Sequence, residues 1–415
     1  MTRPHVVVIA TLGGLGGAER SLVELIHHLG DEMRFTVVVP EDGPLVSAVR
    51  DAGGTCRVVP WPEAIMTLGE RARRRRDFGG LVRAVASLGV LRLRLHTEIA
   101  RLAPDVVMTN GSKGHVLGAL LRPALACPLV WCAREGLEDR PLSRFVLRRL
   151  GRRCDGVIAI SRYVASELRP LVPGPAPIHV VRNIVDLARF RPGLALPVDL
   201  QKPPGEVWLG IVGALTPLKA QDVFLDAAAR VAAHVPQARF LVVGGEPYRT
   251  EARLGFAAQL GARARSLGIA ERVRFLGERD DAAAVIANLD VLVQASRGPE
   301  GLGRTILEAM ACAVPVVCVD RWGPRELVDE GRTGFLVPPG DVATLAERMH
   351  WLAIDPGLRA ELGAAARRWV HATGDPATLA RAFRDALLAI AGRAPSAGVP
   401  PAATGGVKEV ALGGR

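Results

Sequence analysis

The stretch RGPEGLGRTILEAMACAVPVVCV, Arg297 to Val319, decides how the fold is read. An apolar run, Val291 to Gln294, precedes it, and a second one, Val316 to Val319, closes it. Between them lie a glycine-bearing turn and helix-patterned residues, so the segment reads as strand, crossover helix, strand, the unit of a parallel sheet. Between Thr305 and Val319 the only charged residue is Glu308, and Glu300 stands eight positions before it. In open parallel sheets ligands bind beyond the carboxyl ends of the strands, which puts Glu300 at such a mouth. Gly301, Leu302 and Gly303 open the helix, expected to start near Leu302, with bare amides of the kind that hold phosphate. Glu308 lies about 9 Å further along the axis at the rise of an α-helix. That spacing suits a ligand with three parts: sugar hydroxyls at Glu300, a diphosphate at the helix start, a ribose diol at Glu308. An Arg304–Glu308 pair at i,i+4 on a solvated face accounts for the second carboxylate equally well.

The same rhythm runs through the chain. His5 to Ala10, Phe35 to Val39, Asp105 to Met108, Leu129 to Cys132, Val157 to Ile160 and His179 to Val181 are apolar on both faces. So are Val207 to Val212, Phe240 to Val243, Val273 to Leu276 and Phe335 to Val337. Runs of this kind, alternating with helical patterns, imply an α/β protein with two parallel sheets. The expected organisation is a domain over 1–190, a proline-rich linker over 191–206, a second domain over 207–375, a closing helix over 376–392 and a disordered tail over 393–415.

At 415 residues, 49% hydrophobic and 23% charged, the chain reads as soluble and too long for one core. Val6 to Leu12 is too short for a membrane span and reads as a first strand, so a cytoplasmic location is expected. The cysteines Cys56, Cys127, Cys132, Cys154, Cys312 and Cys318 form no CxxC pair, which favours reduced packing thiols over disulfides or zinc. No metal is expected. The formal charge of +11 comes mostly from dispersed arginine. Only Arg71, Arg73, Arg74, Arg75 and Arg76 cluster, ahead of an apolar and basic stretch with a stripe through Phe78, Leu81, Val82, Val85, Leu88 and Leu91. That cluster is either a solvated loop or a peripheral contact with an anionic membrane. A nucleic-acid module is disfavoured, since an aromatic content of 4% offers few stacking platforms.

Near the amino end, TLGGLGGAERS follows a strand and opens a helix, which invites the dinucleotide fingerprint. Glu19 stands where its third glycine belongs, which weakens an NAD(P)-dependent oxidoreductase, although Glu41 and Asp42 could mimic a ribose-binding acid. Glycines here also let strand and helix pack closely. His115, in NGSKGHVLG, sits at another helix start, where histidines commonly cap or pack. Arg134, Glu135 and Glu138 lie in a loop, WCAREGLED, that either shapes a site or is plain surface. Asn183 and Asp186 read as turn formers ahead of the linker.

PEGLGRTILEAMACAVPVV, followed by GPRELVDEGRTGFLVPPGD (Gly323 to Asp341), resembles the glutamate-x7-glutamate signature and following loop of family 4 retaining glycosyltransferases of the GT-B fold. VGALTPLKAQDVFLDAA, RVRFLGERDD, VRNIVDLARFRP and GGLGGAERSLVELIHHL extend the resemblance to about residue 392. It implies two Rossmann-like domains facing across a cleft. It also implies transfer of a sugar from UDP-sugar or GDP-sugar to a glycan or lipid-linked acceptor, without a cofactor or metal; a peripheral place at the inner face of the plasma membrane belongs to the membrane-contact reading of Arg71 to Arg76. By that resemblance Glu300 touches the donor sugar, Glu308 the ribose, and Lys219 the diphosphate. Gly213, Gly301, Leu302, Gly303 and Arg304 line the donor, and Arg279 lies near its base. Gly16, Gly17, Glu19 and Arg134 face the acceptor, and His115 stands beside the reacting sugar. The chain departs from the pattern at Ala214, where arginine is usual, and at Ala220, where glycine is usual. A nucleotide-sugar epimerase of the same fold is the rival reading.

Overall fold

The computed structural model describes residues 3–66, 78–246 and 255–392. The clustered arginines Arg71 to Arg76 and the tail over 393–415 lie outside the described residues. A seven-stranded sheet is built from β1 (His5–Ile9), β2 (Arg34–Val39), β3 (Thr55–Val58), β4 (Val106–Asn110), β5 (Leu129–Ala133), β6 (Gly156–Ala159) and β7 (Ile178–Val180). A six-stranded sheet follows: β8 (Val207–Val212), β9 (Ala238–Val243), β10 (Val273–Gly277), β11 (Val291–Gln294), β12 (Val316–Val319) and β13 (Gly334–Val337). The orders are β3-β2-β1-β4-β5-β6-β7 and β10-β9-β8-β11-β12-β13, all parallel. Both orders reverse direction beside their first strand, and the loops that leave the strands at that point open onto a crevice.

The helices of the first half are α1 (Gly17–Leu29), α2 (Pro44–Asp51), α3 (Glu63–Met66), α4 (Phe78–Leu102), α5 (Ser112–Leu121), α6 (Pro141–Leu150) and α7 (Arg162–Leu168). Those of the second are α8 (Gln221–Ala232), α9 (Phe256–Ser266), α10 (Ala282–Ala287), α11 (Arg304–Ala311), α12 (Val342–Ile354) and α13 (Pro356–Thr373), with α14 (Pro376–Ile390) last. The central strands are buried along their length because covering helices seal both faces; Val6 to Ile9 and Val316 to Val319 are all buried. β3 escapes sequence detection for the opposite reason. It is an edge strand, and Thr55, Arg57 and Val58 are exposed, so it has no two-sided apolar run.

The halves are not independent. One apolar cluster contains Trp131 and Val157 of the first sheet together with Trp208 of the second, Leu302 of the loop after β11 and Ile306 of α11. α14 crosses back to the first half, where Phe383 and Leu387 join the core of α1 and β1. A Cβ on Gly156 at the start of β6 would lie 2.6 Å from Ile390, so glycine is what lets this helix dock. The residues 191–206 are pinned to the second sheet: Lys202 Nζ donates to Asp290 at 2.6 Å, and Arg279 binds Asp199 in a fork at 2.7 and 2.8 Å.

All six cysteines are free thiols. Burial pushes Cys154 and Cys312 up to about 12, so they pack as neutral groups.

Candidate active site

The loop after β11 meets the loop after β8 at the carboxyl edge of the second sheet. Lys219 Nζ donates to Glu300 Oε2 at 2.5 Å, and Ser296 Oγ contacts the same oxygen at 3.4 Å. Ser296 is itself oriented by Gln294 at 2.7 Å. The Lys219 loop is held by its own backbone, with Leu215 N bonding Gly245 O at 2.9 Å and Arg297 N bonding Leu218 O at 2.9 Å. Ala220, just after the lysine, adopts the left-handed region at φ 55, where glycine sits without strain. Gly213 ends β8 at φ 147 with open space where its side chain would be, so bare backbone lines this edge.

α11 begins two residues later than the sequence suggests, because Gly303, at φ 99, takes the N-cap position. Glu308 is therefore in the second turn, about 6 Å along the axis from Arg304. The Arg304–Glu308 pair forms, Nε to Oε1 at 2.7 Å, yet its face is not solvated: the side chains are 11% and 10% exposed. Arg304 instead reaches across the crevice, donating to Ser21 Oγ at 3.2 Å and to Glu24 Oε1 at 3.3 Å on α1. One guanidinium thus serves three acceptors from both halves, and a buried carboxylate has the donor it requires.

The donor-side loop rests directly on the first half. Ser161, N-cap of α7, donates from Oγ to Gly301 O at 2.6 Å and accepts from Val164 N at 3.1 Å. A Cβ on Gly301 would come within 2.3 Å of the Arg134 carbonyl oxygen, so only glycine permits the approach. Glu326, in the turn after β12, accepts from Arg162 N at 3.0 Å and Tyr163 N at 2.7 Å, satisfying amides at the start of α7 from the other half. Glu138 accepts from Arg321 at 2.6 Å and from the indole N–H of Trp322 at 2.7 Å. Trp322 holds φ 56, a costly conformation for a bulky residue. Sequence reasoning does not single out Ser21, Glu24, Ser161, Trp322 or Glu326. Their partners lie more than 100 positions away, and the only local signal is that Ser161 opens a helix.

On the first half, Gly16 is the N-cap of α1 and Gly17 its first residue. A side chain on Gly14 or Gly17 would meet nothing within 4 Å, so this turn is bare toward the crevice. Gly43 has the packing role, since its Cβ would lie 2.6 Å from Gly13 O. Glu19 is buried, and burial raises its carboxyl above the ordinary range, its own amide, Arg134 and the Gly16 amide pulling part of the way back. Arg134 is fixed by Asn110 Oδ1 at 2.7 Å and Asn183 Oδ1 at 2.8 Å. Glu135 accepts from Ser112 N at 3.0 Å, capping α5, and Asp186 accepts from Ala188 N and Arg189 N in a turn.

Two expected site residues are placed elsewhere. His115 does not open onto the crevice: it is 2% exposed, stacks on Trp131 at 5.1 Å and bonds Thr109 Oγ through Nδ1 at 2.7 Å. Complete burial lowers it to about 4, so it is a neutral packing group. Four of the five N–H donors of Arg279 go to Asp199 and Asp281, which makes it a clasp between 191–206 and the loop after β10. Among the described residues no group of three or more His, Cys, Asp or Glu side chains could hold a metal ion.

Residues 206–355 match the family model described as glycosyl transferases group 1, and residues 15–189 match the one described as glycosyltransferase family 4. A GDP-mannose-dependent alpha-(1-6)-phosphatidylinositol monomannoside mannosyltransferase of Mycolicibacterium smegmatis is 32% identical over 268 residues, covering 61% of this chain and 68% of that protein. Its Mycobacterium tuberculosis counterpart is 33% identical, covering 61% of this chain and 66% of that protein. A D-inositol 3-phosphate glycosyltransferase of Rhodococcus erythropolis is 33% identical over 62% of this chain and 59% of its own length. The chain thus spans 59% to 68% of the length of these relatives. HepE from Anabaena, solved with UDP-glucose, superposes with a TM-score of 0.76 at 23% identity over 93% of this chain and 99% of that one. Sucrose-phosphate synthase from Thermosynechococcus elongatus gives 0.75 at 20% identity, covering 93% and 100%. At these identities the likeness shows the fold, GT-B.

Proposed function

Since this chain belongs to the family 4 glycosyltransferases, and has their GT-B fold, we propose that it moves a hexose from a nucleoside-diphosphate sugar to an acceptor hydroxyl with retention of configuration. The observation that carries the reading is the Lys219–Glu300 contact of 2.5 Å beside the bare start of α11, with Glu308 buried one turn behind. In this reading Glu300 orients the sugar hydroxyls and Glu308 takes the ribose diol through the oxygen that Arg304 does not use. The bond from the anomeric carbon to the diphosphate oxygen breaks with its electron pair leaving on the diphosphate. Lys219 and the amides of Gly303 and Arg304 stabilise that charge as it develops. The acceptor oxygen bonds the same face, and its proton passes to the departing phosphate oxygen. Ala214 contributes no charge, so Lys219 and the helix start carry the diphosphate.

The named relatives work on phosphatidylinositol mannoside and inositol phosphate, both polyols with a charged group. A hydroxyl-rich, lipid-linked acceptor held between Gly16, Gly17, Glu19 and Arg134 is the corresponding reading here, at the inner face of the plasma membrane. No helix among the described residues is long and apolar enough to cross a membrane.

A thermal-shift panel of UDP, GDP, ADP, NAD and NADP tests the class and identifies the base together. Stabilisation by one nucleoside diphosphate, reduced in Glu308→Ala, is the expected result. Stabilisation by a nicotinamide dinucleotide alone overturns it. Donor consumption that needs no acceptor and returns an isomeric nucleotide sugar favours the epimerase.

A further inference from the structure

α6 has the wrong surface for a helix that only packs. Of its ten residues Leu147 alone is fully buried, while Leu142 is 67% and Phe145 58% exposed. Leu142 and Phe145 are three apart and share one face with Arg148, Arg149 and Arg152, all exposed. Among the described residues Arg148 and Arg152 make no ion pair, and Arg149 lies over the Phe145 ring at 4.9 Å. Arg144, on the flank, is turned away into Glu167 of α7 at 2.8 and 2.9 Å. The outward face therefore combines two large apolar side chains with a row of uncompensated guanidinium groups and contains no acid.

From this juxtaposition we infer that the outer face of α6 is the docking surface of this protein on an anionic lipid membrane, with Leu142 and Phe145 entering the headgroup region and the arginines meeting lipid phosphates. Charge complementarity selects the occupant. A nucleic-acid backbone would satisfy the arginines but offers no apolar phase for Leu142 and Phe145, whereas a bilayer surface supplies both. A second helix carries the same pairing of exposed apolar and basic side chains. α4 and α6 cover the same face of the first sheet with α5 between them, and α4 exposes Leu93 (65%) and Val90 (50%) beside Arg92 and Arg94. The surface also adjoins the crevice, because α6 starts directly after the loop that carries Arg134 and Glu138 to the donor-side loop. A lipid-linked acceptor would then enter from the membrane side without leaving the interface.

The test is co-sedimentation of the full chain with vesicles of phosphatidylglycerol or of phosphatidylcholine, with no donor or acceptor present. Its outcome is thus separate from that of the glycosyl-transfer reading. The expected result is binding to phosphatidylglycerol at least about tenfold tighter than to phosphatidylcholine, weakening as salt rises. Each arginine near an anionic surface contributes a factor of roughly five, so Arg148→Gln/Arg149→Gln/Arg152→Gln should lose about a hundredfold. Leu142→Ser/Phe145→Ser should lose about tenfold or more, and both variants should keep the parent's unfolding temperature and nucleotide-induced thermal shift. Equal partitioning to the two vesicle types, or either variant binding like the parent, overturns the assignment. Arginine-dependent capture of duplex DNA without vesicle binding overturns it in favour of nucleic acid.

Discussion

The turn between β11 and α11 and the turn between β1 and α1 are built alike: a central strand, a glycine-rich bend and a helix opening onto the same crevice. They treat their carboxylates in opposite ways. At the β11 turn each acid has a cation, Glu300 with Lys219 and Glu308 with Arg304. At the β1 turn Glu19 is buried with no salt bridge among the described residues, and burial raises its carboxyl. A carboxylate beside a cation, with an oxygen to spare, can accept the hydroxyl donors that a sugar or a ribose diol offers, whereas burial without a counter-charge shifts a carboxyl toward its neutral form. The second half is prepared for hydroxyl donors beside a diphosphate. The first holds a buried acid with no cation bound to it among the described residues.

The sharpest way to break this contrast is Lys219→Ala, which removes the cation that the departing diphosphate meets. Turnover should fall about a hundredfold or more, measured with saturating donor. Next is Glu308→Ala, which leaves the buried Arg304 with only Ser21 and Glu24. Stability should drop by roughly 3 kcal/mol in a denaturant titration, with nucleoside-diphosphate affinity down about tenfold. Glu19→Gln tests the other turn. Because folded Glu19 binds its proton more tightly than the unfolded chain does, the parent loses stability as pH climbs from the ordinary glutamate range through the raised value, and the loss then levels off. The variant should therefore melt higher than the parent at pH 7 and alongside it at pH 4. The smallest effect is expected from Ala220→Gly, where relief of the left-handed strain at φ 55 opposes the greater freedom of glycine in the unfolded chain. Its unfolding free energy should lie within about 1 kcal/mol of the parent's, whereas Ala220→Val should lose more than that.

What could be read beforehand follows the range of the physics. Two-sided apolar runs such as Val316 to Val319 announce buried parallel strands, and a lone acid among Ile306, Leu307 and Met310 announces a carboxylate with a partner. Both are local statements. β3 was not legible because three of its four residues face water, and the start of α11 was misplaced because Leu302 precedes the left-handed Gly303. The fate of His115 depends on Trp131 beneath it, sixteen positions on, and nothing in NGSKGHVLG distinguishes a stacked ring from an open one. Least legible of all were the contacts between halves. Ser161 with Gly301, Glu326 with the amides of Arg162 and Tyr163, and Arg304 with Glu24 are set by how two finished surfaces meet.

The return of α14 has mechanical meaning. The donor-side sheet hangs from its counterpart by two threads, one leaving after β7 and one re-entering at Asp375, while Gly156 and Ile390 anchor the second thread in the far wall. A body hung at two points swings about the line between them and resists twisting around any other axis. Opening should therefore behave like a door: Ser161 and Glu326 part as its free edge, and the clasp of Arg279 with Asp199 travels with the hinged leaf.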